Sequence, residues 1–135
     1  MKNIFKTFII LLFFCFTKIF GQLDTLNYLK QFEINKANYI GQPFSKLLND
    51  MTQIHPKTAW SFTPFNNKNI VTRTSFNFCE KEHSFHNVIN LAIFWETPIP
   101  RSTIKSYEQL NAFFFTNDEK SFYGSKIVKD IKVYR

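Results

Sequence analysis

The spacing of apolar residues changes character three times along this chain, and each change predicts a different kind of segment. From Phe8 to Phe16 the apolar run is unbroken, with Lys2 and Lys6 ahead of it and Lys18 behind. Such a run is well short of the 18 or so apolar residues that cross a bilayer as a helix. A charged start, a short greasy middle and a small residue further on make a secretory signal peptide. Residues 1–21 are therefore expected to be a leader cleaved after Gly21, and residues 22–135 to be the mature domain. Cys15 invites a lipoprotein reading, since Leu12 stands where a lipobox wants it, but Phe14 is too large for the position before a lipidated cysteine.

Past the leader the period becomes helical. In LDTLNYLKQF, Leu26, Leu29 and Phe32 recur near helical spacing behind Asp24, a good capping residue. Gly41 breaks this segment, and Pro43 is placed for the first turn of a second helix whose Phe44, Leu47, Leu48 and Met51 fall at i, i+3, i+4 and i+7. So short a helix is stable only when its stripe is packed.

From Trp60 the period falls to two. Trp60 and Phe62 alternate with Ser61 and Thr63 in a short strand that ends at Pro64 and the turn-like residues 66–69. In VTRTSFNF, Thr72, Thr74, Phe76 and Phe78 take one side and Arg73, Ser75 and Asn77 the other, the pattern of a strand with one wet face. In HNVINLAIFWE, Ile89, Leu91, Ile93 and Trp95 share a face while Ala92 and Phe94 occupy the other, which predicts a central strand ended by Pro98 and Pro100. SYEQLNAFFF reads as a third helix, with Ser106 and Gln109 at capping-box spacing and Tyr107, Leu110 and Phe114 on one side. NDEKSFYG reads as a polar turn. KIVKDIKVYR, rich in β-branched residues, reads as a last strand with Ile127, Ile131 and Val133 inward, a helix being the alternative. The expected fold is thus a small single α+β domain: an antiparallel sheet of about four strands with two or three helices on one face.

Composition changes this picture in two places. Eighteen Phe against three Gly among 135 residues reflects codon bias as much as physics, yet the rings still have to be buried. The formal net charge of +7 includes Lys2, Lys6 and Lys18; without them 14 basic residues stand against 10 acidic ones, a net charge of +4. That is mild, and together with export it argues against nucleic acid. The mature domain keeps one cysteine, Cys79, so no internal disulfide supports it.

Chemistry is concentrated in SFNFCEKEHSFH, where Cys79, His83 and His86 lie close together with Glu80 and Glu82 between them. Thiolate, imidazole and carboxylate are zinc ligands, but such sites draw ligand pairs from separate segments, and the only other imidazole is the distant His55. We therefore expect no metal, and read EKEH as a solvated turn between strands. No G-x-S-x-G elbow and no H-E-x-x-H helix occurs, and Glu80 beside Cys79 opposes a lowered thiol pKa, so no enzyme and no cofactor is expected. Lys126, Lys129, Lys132 and Arg135 alternate sides as a strand would place them and form no patch. Of Trp60, Trp95, Phe113, Phe114 and Phe115 most belong to the core. One helix cannot bury all three consecutive phenylalanines, so at least one is expected at the surface or against a partner. The leading functional reading is a small exported, non-catalytic module binding another envelope or secreted protein of a bacterium. The alternative is a weak binder of anionic glycan or membrane surface, and third comes a metal protein or enzyme using Cys79, His83 and His86. No stable membrane span is expected in the mature chain.

Overall fold

A computed structural model describes residues 23–135; the expected leader and the expected cleavage after Gly21 lie outside the described residues. Helix α1 runs from Thr25 to Ile34, and the Asp24 carboxylate accepts from the backbone N–H of Asn27 at 3.1 Å. This satisfies one of the donors that the first helical turn leaves open. Leu29 and Phe32 are its buried residues. Gly41 then turns the chain at φ +75°, a conformation that costs glycine no side-chain clash. Helix α2, Phe44–Asp50, follows with Phe44, Leu47 and Leu48 buried, and Met51 is buried at its end. The linking segment also covers a sheet edge: Gly41 N–H donates to Val128 O at 2.8 Å and Phe44 N–H to Lys126 O at 2.9 Å.

Strands β1 (Thr58–Phe62), β2 (Ile70–Asn77), β3 (Asn90–Pro100) and β4 (Val128–Tyr134) form an antiparallel sheet in the order β1-β2-β3-β4. The C-terminal segment is a strand, and β3 is central as its two apolar faces require. Two cross-strand rows make the core face, Ala59–Phe76–Leu91–Val133 and Ser61–Thr74–Ile93–Ile131. The buried residues of the helices join these rows in one cluster. Phe76 is the hub. Its ring stacks on Phe44 at 4.8 Å and meets Phe115, Tyr123 and Trp95 edge-on. Polar groups in this core are paired: Trp95 Nε1–H donates to Thr74 Oγ1 at 3.0 Å, and the Ser61 hydroxyl bonds both Thr74 Oγ1 and the Tyr123 hydroxyl. Pairing of this kind removes the penalty that a buried polar atom otherwise carries.

The helical layer is larger than the pattern predicts, with four α-helices among the described residues where two or three were expected. Residues 117–124, read as a polar turn, are helix α4, Asn117–Gly124. Its polar first half hides a capping box. Glu119 accepts from the Thr116 N–H at 2.9 Å while the Thr116 side chain caps the helix in return. Glu119, only 4% exposed, also accepts from the Asn111 side chain at 2.7 Å and the Thr116 hydroxyl at 2.5 Å. Replacing it by alanine strands these buried donors, so Glu119→Ala is expected to cost about 1–3 kcal/mol in urea unfolding, and Glu119→Gln less.

Helix α3 also differs from expectation. It begins directly after Pro100 and spans Arg101–Asn111, buries Ile104, and leaves Leu110 74% exposed. Ser106 lies in its interior with its hydroxyl donating to Ser102 O, so it caps nothing. The helix stops where Ala112 and Phe113 both take positive φ, 50° and 69°. Two further corrections concern register. Strand β3 continues past Pro98 because residues 95–98 bulge against Thr72 alone, between the Arg73–Phe94 and Val71–Ile99 pairs, and a bulge tolerates the missing proline N–H. In β4 the pairing skips Lys129, so Val128 turns inward in place of Ile127, which is exposed.

Candidate functional site

The loop that drew attention in the sequence does gather its residues. Cys79, His83 and His86 line a common cavity of about 270 Å³ with Arg135, between the end of β2 and the start of β3. A short 3₁₀ turn, Lys81–His83, carries the first imidazole. The carboxylates go elsewhere. Glu80 is paired with Lys57, whose hydrogen bond and charge lower its pKa, and Glu82 is exposed. Among the described residues no group of three or more His, Cys, Asp or Glu is disposed to hold a metal ion.

The second face of the sheet has the richer arrangement. Its middle row is Trp60–Ser75–Ala92–Lys132, flanked by Phe62–Arg73–Phe94–Asp130 on one side and Thr58–Asn77–Asn90–Tyr134 on the other. Alternation along β2 predicted a wet face here, yet Ser75, Asn77 and Ala92 are buried. The reason is size: small side chains lie low between the large ones that flank them in the neighbouring rows. The helices bury their apolar residues in the core cluster, so none of the described helices covers this face. The loop between β2 and β3 reaches it through Phe85, whose ring meets Trp60 edge-on at 5.1 Å.

Trp60 is held from three sides. Its indole N–H donates to Thr58 Oγ1 at 3.0 Å, Phe113 stacks on it at 4.4 Å, and Phe85 abuts its edge. Phe113 reaches it because its segment runs beside the outer edge of β1, with Ala59 N–H donating to Phe113 O and Phe115 N–H to Lys57 O. The three phenylalanines therefore diverge, Phe113 to this face, Phe115 to the core ring of Phe76, and Phe114 to solvent. That settles how one segment carries three large rings.

Charge enters through Arg73. Its guanidinium lies 4.3 Å from the Phe62 ring centroid and 6.0 Å from that of Phe94. A planar, weakly hydrated cation suits an aromatic slot of this kind. Among the described residues Arg73 has no salt-bridge partner, and its buried Nε makes no hydrogen bond. Lys132 Nζ stands 5.7 Å from the same Phe94 ring. Asp130 in the same row is already engaged, its pKa held down first by the hydrogen bond from Lys36. The face thus presents aromatic rings and cations, and among the described residues no carboxylate lies within salt-bridge distance of Arg73.

The basic C-terminal residues go to different places: Lys126, before β4, covers Phe122, Lys132 joins the second face, and Arg135 donates to Asn87 O. Arg73 and Phe94 were not singled out by sequence reasoning as functional, and Lys132 was weighed only as one of four C-terminal basic residues that form no patch. The one available signal was their shared parity, Arg73 on the Ser75 side of β2 and Phe94 on the Ala92 side of β3. Comparison with family profiles, with curated proteins and with solved structures gives no significant match.

Proposed function

We propose that the protein is a small exported, non-catalytic module that binds another protein of the bacterial envelope or secretome, with the second sheet face as its docking surface. The observation that carries this reading is that Arg73 beside Phe62 and Phe94, and Trp60 with Phe85 on its edge, share a face that no described helix covers. Aromatic residues and arginine are the residue types on which binding energy concentrates at protein interfaces. Phe85 is 73% exposed and Phe62 42% exposed, an apolar surface at odds with a sheet that faces only water. Export rests on the N-terminal pattern of Lys2, Lys6 and the Phe8–Phe16 run. Among the described residues no helix is long and apolar enough to cross a membrane.

The test is capture from envelope and secreted extracts by the mature chain, compared with the Phe62→Ala/Phe85→Ala double variant at low and high salt. Both rings are exposed enough to remove without unfolding the chain. A specific partner that persists at high salt and falls about tenfold or more with the double variant is the expected result, since truncating central aromatic anchors commonly costs about 2 kcal/mol or more. Capture that disappears at high salt and ignores the double variant would point instead to an anionic glycan or membrane surface, because polyanion contacts are screened.

A further inference from the structure

Among the described residues, three of the four buried side-chain atoms without a hydrogen-bond partner lie on or next to the second face: Arg73 Nε, Asn77 Oδ1 and Ser84 Oγ, the last adjoining Phe85. A buried polar atom without a partner is unfavourable, and a charged group more so than a neutral one. The guanidinium lies beside Phe62 and Phe94, and among the described residues it has no carboxylate partner. Lys132 adds a second positive charge beside it, while the one acidic residue of that row, Asp130, is neutralised by Lys36.

We propose that this face recognises an acidic segment of a protein partner and that Arg73 is its carboxylate anchor. The inference rests on the reading of the face as the docking surface and adds the chemistry of what docks. A carboxylate offers two coplanar oxygens that match the guanidinium fork, which a ring-bound arginine presents with little further loss of side-chain freedom. Apolar side chains flanking that carboxylate would lie over Trp60 and Phe85. Sulfated or phosphorylated polyanions answer charge equally well but make no use of the neighbouring rings, so the aromatic frame favours a peptide.

The experiment titrates the mature protein at low salt with a short peptide of alternating glutamate and leucine, its glutamine counterpart, and a heparin oligosaccharide, followed by N–H resonances. The glutamate peptide should move the Arg73 Nε–H and Trp60 Nε1–H signals saturably and leave the Trp95 Nε1–H, bonded in the core to Thr74, in place. Arg73→Gln should weaken binding about tenfold or more, as expected for loss of a charge-assisted hydrogen bond, and Arg73→Lys by an intermediate factor. Lys46→Gln, on the helical layer, should change nothing. A dispersed spectrum for each variant confirms that it folds. Equal shifts with the glutamine peptide, saturable shifts with heparin alone, or an affinity indifferent to Arg73→Gln would overturn the proposal. If the peptide gives no shift while an extract partner is still lost on Phe62→Ala/Phe85→Ala, the carboxylate anchor falls and the docking surface stands; if that capture also fails, both fall.

Discussion

Replacing Phe76 by alanine is expected to lower the stability of the domain by about 3–5 kcal/mol, the range for deleting a phenyl ring from a rigid core. The ring is fully buried in β2 and touches Phe44, Trp95, Phe115 and Tyr123, so it joins α2, β3, the segment after α3, and α4. Among the described aromatic side chains none has more ring partners. Its neighbours come from backbone elements that cannot all move inward, and a cavity term therefore adds to the lost transfer energy. A small domain has only about 5–15 kcal/mol in total, so the melting temperature should fall by on the order of 15 °C. Phe65→Ala is the matched control. That ring is 96% exposed, and its loss should stay within about 0.5 kcal/mol. Thermal and urea unfolding of the two variants check this, and comparable losses would mean that burial does not sort these phenylalanines.

That contrast also marks how far the sequence could be read. With eighteen phenylalanines, residue type alone cannot distinguish Phe76 from Phe65; alternation within VTRTSFNF does, because it puts Phe76 in phase with Thr74. Helices α1 and α2 and strands β2 to β4 were legible for the same reason, a period carried by large side chains over several turns or pleats. Helix α4 was not. Its first residues are polar, and what holds it is the Thr116–Glu119 cap together with Tyr123 reaching the core. The bulges were hidden as well, since the skipped Lys129 leaves no compositional trace and only pairing with β3 shows that Val128 points inward. The Cys79 loop was legible as a loop, and its His83 and His86 do share a cavity. The second face could not be assembled from local patterns, because Trp60, Arg73, Phe94 and Lys132 come from four strands whose alignment is set by tertiary pairing. Shared parity hinted at two of them, and register supplied the rest.

The core's polar chain makes the second large effect, a loss of stability in strong alkali. Burial raises the pKa of Tyr123 from 10.0 to about 12, against the opposing hydrogen bonds from Ser61 and Thr74, with Glu108 and Glu119 adding a smaller upward push. A phenol whose folded pKa exceeds its unfolded value holds its proton more tightly in the native state. Its contribution is therefore complete below pH 10 and is lost as pH rises from about 10 to about 12. Two pKa units correspond to about 2–3 kcal/mol. Tyr123→Phe keeps the ring stacked on Trp95 at 5.7 Å and edge-on to Phe76, and removes only the hydroxyl and its bond to Ser61. At neutral pH the variant should be less stable by about 1 kcal/mol. Because the two proteins differ only at this position, the difference between them isolates this hydroxyl. Urea midpoints measured from neutral pH upward should converge and then cross between about pH 10 and 12, with the variant the more stable above the crossing. Parallel curves would show that the Tyr123 hydroxyl is solvated, and the bond from Ser61 would then be no part of the dry core.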